Sequence, residues 1–141
     1  MSRLLLNLIV FGFLLSYCLS TVTVVLVSLI LRCRLPINPF TTVFLKERHL
    51  GNSAIDEDDT LDTAIYVLGD CPPKILKMRG LQFQIPGTET YLRVCHFCKG
   101  FSQNVTVTLN KDIHQSRLFN ITIDLDTDKT TIESISLNPS L

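Results

Sequence analysis

The 141-residue chain has no tryptophan. That removes the Cys–Trp–Cys signature by which a true immunoglobulin domain is read from sequence. Net charge is absent too: thirteen basic residues balance thirteen acidic ones, so no long-range field draws the chain toward nucleic acid. There is no glycine-rich phosphate loop. The three histidines, His49, His96 and His114, are scattered, and no serine stands in an evident arrangement with a histidine and an aspartate. No internal repeat and no low-complexity tract is present. Together these gaps disfavour nucleic-acid, phosphate-binding and catalytic classes, and they imply no cofactor. The expected function is recognition or assembly without catalysis.

Charge itself is missing over one long stretch, because residues 4–31 carry none. The rest of the chain is polar and rich in β-branched residues, so the sequence divides into two parts. Two accounts of the front part compete. In the first, Arg3 is a basic flank, Leu4–Leu15 an apolar run, and Cys18 with Ser20 a small-x-small cleavage site, giving a mature chain that begins at Thr21. In the second, the apolar stretch is one helix. Twenty-eight residues rising about 1.5 Å each reach roughly 42 Å, beyond the ~30 Å of a bilayer's hydrocarbon core. The segment "TVTVVLVSLIL" (21–31) favours the second account. As a strand it would be apolar on both faces, whereas a sandwich strand usually shows one polar face to water.

The expected organisation is therefore a signal-anchor with its flanks over 1–34, a proline-containing linker over 35–40 and a β-domain over 41–141. The bilayer is then one partner and an unknown protein another. Gly12, Ser16 and Ser20 are spaced four apart on one helix face, a pattern that lets two membrane helices approach and a homodimer form.

Two signals bear on orientation. Arg32, Arg34, Lys46 and Arg48 follow the span, against Arg3 before it, which leans toward a cytosolic domain. Two glycosylation acceptors, "NVT" at Asn104 and "NIT" at Asn120, point to the lumen or outside. Seven asparagines in a chain of this Ser and Thr content give roughly one such triplet by chance, so position matters more than number. The lumenal or external side is expected.

After the linker, period two dominates. "TTVFLK" and "TAIYVL" are β-type runs separated by the polar, acidic stretch from Gly51 to Asp62. "LQFQIP" (81–86) alternates, with Leu81, Phe83 and Ile85 expected inside. "TYLRVC" places Leu92 and Val94 on one face, and "NVTVTL" places Val105, Val107 and Leu109. "LFNITIDL" does the same with Phe119, Ile121, Ile123 and Leu125. In "TTIESISL" the parity of Ile132 and Ile135 slips, which suggests a bulge or a strand end. "KILKMRG" (74–80) reads as one helical turn or a loop. About seven short strands with regular turns predict an all-β fold, a small antiparallel sandwich of immunoglobulin-like size.

The sharpest local motif is "CHFC", Cys95 to Cys98. Two thiolates at this spacing can hold half a zinc site, completed by Cys71 and one of Cys33, His49, His96 or His114, but no second CxxC exists. A redox CxxC usually opens a helix, and here a strand precedes it. Disulfides in an exported domain are the simpler account. Cys33, Cys71, Cys95 and Cys98 are the candidates, with Cys71 to Cys95 or Cys98 favoured, and Cys33 free to link two chains or carry a palmitate. Asp124, Asp126 and Asp128 match positions 1, 3 and 5 of a calcium loop, but Lys129 and Ile135 break it at positions 6 and 12, which leaves a solvated hairpin turn. Three alternatives stand beside the anchored domain: a secreted β-domain freed after Ser20, a cytosolic-facing zinc or redox thiol protein, and a membrane protein whose helix oligomerises.

Overall fold

The computed structural model describes residues 3–19, 22–49, 58–83, 87–111 and 115–137. One helix, α1 (Arg3–Leu19), is followed by eight strands: β1 (Val22–Arg32), β2 (Phe40–His49), β3 (Asp59–Val67), β4 (Leu76–Phe83), β5 (Thr88–His96), β6 (Gln103–Lys111), β7 (Arg117–Asp124) and β8 (Lys129–Ser136). They form two four-stranded sheets. The first has the order β4-β1-β7-β8 and the second β3-β2-β5-β6. All neighbours are antiparallel except β1 and β7, which run parallel. The architecture is all-β and sandwich-like, with eight strands among the described residues.

The single helix expected over residues 4–31 ends at Leu19, and a strand follows it. Residues 22–32 are the second strand of the first sheet, with Val25, Val27, Leu29 and Leu31 buried at 2% exposure or less. The sheets therefore begin inside the segment read as an anchor, and "LPINPF" lies in the connection from β1 to β2. No described helix is long and apolar enough to cross a membrane. The physical reason for the misreading lies on the outer face of β1. Val24, Leu26 and Ile30 point away from the core and are half-buried among their strand neighbours, so the strand is apolar on both sides and shows no alternation. Gly12 and Ser16 fall within α1, and Ser20 lies outside the described residues. The described side chains of α1 are all exposed, Phe11 at 63% and Phe13 at 74%.

The core is made by alternate residues of both sheets. Val43, Leu45, Leu92 and Val94 of the second sheet meet Val27, Leu29, Phe119 and Ile121 of the first, with Met78 and Tyr66 closing one flank. The inward residues expected for β5, β6 and β7 are found there: Leu92, Val94, Val107, Phe119, Ile121, Ile123 and Leu125 are buried, and Val105 and Leu109 pack against them. In β4 the parity is the reverse of that expected. Leu81 is 55% exposed, and Gln82 faces inward at 2%. The strand begins earlier, within "KILKMRG", and its inward set is Leu76, Met78, Gly80 and Gln82. Gly80 is inward because the sheets come close there. A Cβ on it would stand 2.9 Å from Leu61 Cδ1 and 3.1 Å from Leu45 Cδ2.

Gln82 is tolerated inside because its groups are matched. Its carboxamide oxygen accepts from the Thr90 hydroxyl at 2.8 Å, and its Nε2 donates to Glu47 at 3.5 Å. β8 needs no bulge. It pairs regularly with β7 from Asp124↔Lys129 to Arg117↔Ser136. It is a sheet edge with every residue exposed, so Ile132 and Ile135 show to solvent on opposite faces. Register shifts occur instead between Leu45 and Lys46 and between Thr90 and Tyr91.

Candidate functional site

Strand direction sorts the connections. β1, β3, β5 and β7 all end where β2, β4, β6 and β8 begin, so four of the connections gather at one end of the sandwich. A disulfide ties two of them together. Cys33 follows β1, Cys98 lies in the β5–β6 turn, and their sulfurs are bonded across 65 residues of chain. The sequence favours Cys71 paired with Cys95 or Cys98; the structure pairs Cys98 with Cys33 and leaves Cys71 exposed and Cys95 half-buried as free thiols. Sequence distance hid the partner, because Cys33 reaches Cys98 only once β1 is a core strand.

Beside the disulfide opens a cleft of about 380 Å³. Its walls are Arg32, Cys33 and Arg34 from the first connection, Asp70 and Cys71 from the β3–β4 loop, and Asp124 and Asp126 from the β7–β8 turn. Backbone bonds hold these pieces in place. Leu125 N–H donates to Arg32 O at 2.9 Å, Arg34 N–H to Asp126 Oδ2 at 2.9 Å, and Leu68 N–H to Pro39 O at 2.8 Å. The Tyr66 hydroxyl donates to Lys74 O at 2.6 Å and lies 3.3 Å from Leu31 O, fastening the β3–β4 loop to β1. Burial chiefly, with help from Asp70, pushes its phenol up.

Each aspartate of the hairpin turn has a protein partner. Asp124 accepts the N–H groups of Asp126 and Thr127 at 3.0 and 3.2 Å. Desolvation acts to raise its carboxyl, but those amides and the nearby Arg34 outweigh it and hold the group below the usual range. Asp126 takes the Arg34 amide, and Asp128 pairs with Lys99. The turn is thus bonded to its own loop and its neighbours, as a hairpin turn requires. Asp126 also comes close to Cys33 and Cys98. Joined sulfurs offer no thiolate, so that trio does not make a metal site in the oxidised protein.

The "CHFC" motif is split by the fold. Cys98 is bonded to Cys33, while Cys95 projects from the outer face of β5 opposite Asn104. His96 between them points inward and is 1% exposed. Its Nδ1 accepts the Cys98 N–H at 3.2 Å, and its Nε2 has no hydrogen-bond partner among the described residues. Desolvation lowers its basicity, and Lys99 adds to that against the opposing pull of Asp128, so the ring is held neutral. His49 lies 3.9 Å from Asp59 at the far end of the sandwich, and His114 lies outside the described residues.

At that far end, the outer face of the second sheet carries a second polar group. Arg48 donates to Glu89 at 2.7 Å and stacks 5.2 Å from the centre of the Tyr91 ring, whose hydroxyl donates to Asp58. Burial first, and Asp58 second, pushes the Tyr91 phenol up to about 12. Nothing in the sequence singles this cluster out, since its members come from three separate segments.

The sequons Asn104 and Asn120 stand on outer faces of opposite sheets, Asn104 exposed on β6 and Asn120 half-buried on β7. No protein family, no curated protein and no solved structure matches the chain.

Proposed function

We propose that residues 1–20 are a leader removed during export, and that the chain from Thr21 is a disulfide-closed β-sandwich that recognises a protein partner without catalysis. One observation carries this reading. β1 begins at Val22 and supplies buried core residues, whereas α1 just before it keeps every described side chain exposed. A cut after Ser20 thus spares every strand, and the helix suits a signal's apolar region. The Cys33–Cys98 bond adds support, because such bonds persist in oxidising compartments.

The recognition surface is the end that carries the disulfide. Loops held by a rigid sandwich are where binding residues usually reside. Here one bond and several backbone contacts fix the first connection, the β5–β6 turn and the β7–β8 turn around a cleft of both charge signs. A polar protein loop or tail with alternating charge fits it.

The test is expression of the full chain in a secretory host. The expected product is soluble in the medium and starts at Thr21. A product held in carbonate-washed membranes with its N-terminus intact overturns the reading.

A further inference from the structure

Asn120 sits in the middle of a sheet face. Residues that pair across strands share a face, which gives the rows on the outer side of the first sheet. One row runs Lys77, Ser28, Asn120, Glu133. The adjacent row holds Leu26, Leu118 and Ile135 with the exposed Arg79 at its β4 end, and beyond it Leu81 lies beside Val24. Leu81 is 55% and Ile135 49% exposed, and Leu26, Leu118 and Val24 are half-buried, so this is a continuous apolar strip facing solvent. Rows repeat about every 7 Å along a strand, which puts the strip within reach of the first sugars on Asn120.

Two details suit a sugar at this point. Asn120 and Thr122, both half-buried, project outward while Ile121 between them is 1% exposed, so the recognised groups of the acceptor triplet lie on the outer face. The outward residues of β1 are Val22, Val24, Leu26, Ser28 and Ile30, and the one small member, Ser28, is the one opposite Asn120.

We infer that Asn120 carries an N-linked glycan that lies over the strip formed by Leu26, Leu118 and Ile135, so that this face is covered by sugar. The inference rests on export as proposed above. The co-reactant is a lipid-linked oligosaccharide diphosphate in the lumen, supplied with its transferase by the cell. The Asn120 amide nitrogen attacks the anomeric carbon and a C–N bond forms. The C–O bond to the diphosphate breaks, the lipid diphosphate leaves, and one amide proton passes to a base of the transferase. A bulky polar group then hides an apolar patch that would otherwise favour association.

The experiment uses the full chain secreted from a glycosylating host. Peptide mass analysis reads occupancy at each sequon. Apolar-dye fluorescence and sedimentation are compared for the wild type, Asn120→Gln, Asn104→Gln and Thr122→Ser. The expected result is a glycan at Asn120 that is retained in Thr122→Ser. Loss of one glycan mass in Asn120→Gln should come with higher dye fluorescence and faster sedimentation, and Asn104→Gln should leave the dye signal unchanged. Enzymatic removal of glycans from folded wild-type protein should also raise the dye signal, which guards against a misfolded variant. A secreted protein bare at Asn120 overturns the inference and leaves export standing. A glycan whose removal changes neither signal overturns the covering role. A chain that never enters the lumen overturns both.

Discussion

Val27 and Phe119 lie opposite one another on the parallel strands β1 and β7, exposed by only 2% and 1%. The pair places β1, the second half of the apolar front, inside the sandwich. A chain starting at Thr21 should therefore unfold cooperatively in urea, while one starting at Leu35 should not fold at all. Leu29, fully buried on the same strand, offers a finer test: Leu29→Ala should cost about 2–5 kcal/mol by denaturant titration.

The bond between Cys33 and Cys98 closes a 65-residue separation, which by loop entropy corresponds to about 4 kcal/mol at 25 °C. Cys33→Ala and Cys98→Ala should lose similar stability, and added reductant should bring the wild type to the same level. Cys71→Ala and Cys95→Ala should sit close to wild type. In the native protein Cys71 should react quickly with a thiol reagent and Cys95 slowly, as their exposures require.

Gly80 has no space for a side chain, with Leu61 and Leu45 where a Cβ would go. Gly80→Ala should cost about 1–3 kcal/mol through overpacking, seen as a lower urea midpoint. Leu61→Ala in the same background should return part of that loss.

His96 gives a pH dependence. Its folded-state value lies below the ordinary 6.5, so as pH falls past 6.5 the unfolded chain takes up a proton that the folded protein does not. Stability is therefore full above that point and declines below it, by at most about 1.4 kcal/mol per pH unit. Urea midpoints at about pH 7.5 and about pH 5.5 should show that decline. His96→Gln should flatten this component of it.

Glu47 acts in the opposite sense. Desolvation raises its carboxyl above 4.5, against the pull of His49 and the Gln82 hydrogen bond. The unfolded chain releases its proton first as pH rises through 4.5, so the buried group lowers stability above that value. Glu47→Gln should raise the urea midpoint at neutral pH and do less at acid pH.

Alternation made much of the fold legible. Phe119, Ile121 and Ile123 announce β7 because their neighbours Asn120 and Thr122 are polar and face out. β1 lacks that contrast, since its outward Val24 and Leu26 are as apolar as its inward Val25 and Val27, and a periodicity test has nothing to detect. The β-branched run Val22 to Val25 was the available hint, and helix length outweighed it. In β4, the alternation of "LQFQIP" puts Gln82 outside, the reverse of its buried place. Its partners Thr90 and Glu47 come from other strands, so its burial depends on contacts no local pattern encodes. The sulfur pairing and the cleft depend on the same long-range register and were illegible for the same reason.

The parallel pairing of β1 with β7 also sets a timetable. During synthesis the first strand emerges early, yet its register partner Arg117 follows Val25 by most of the chain's length. Until that point Val25, Val27 and Leu29 lack half of their cover, and closing so large a loop is slow. The earliest-made strand must wait for one of the last, and an escort that shields it meanwhile, or a vectorial passage that delays its collapse, would decide how much of the newly made chain reaches its native state.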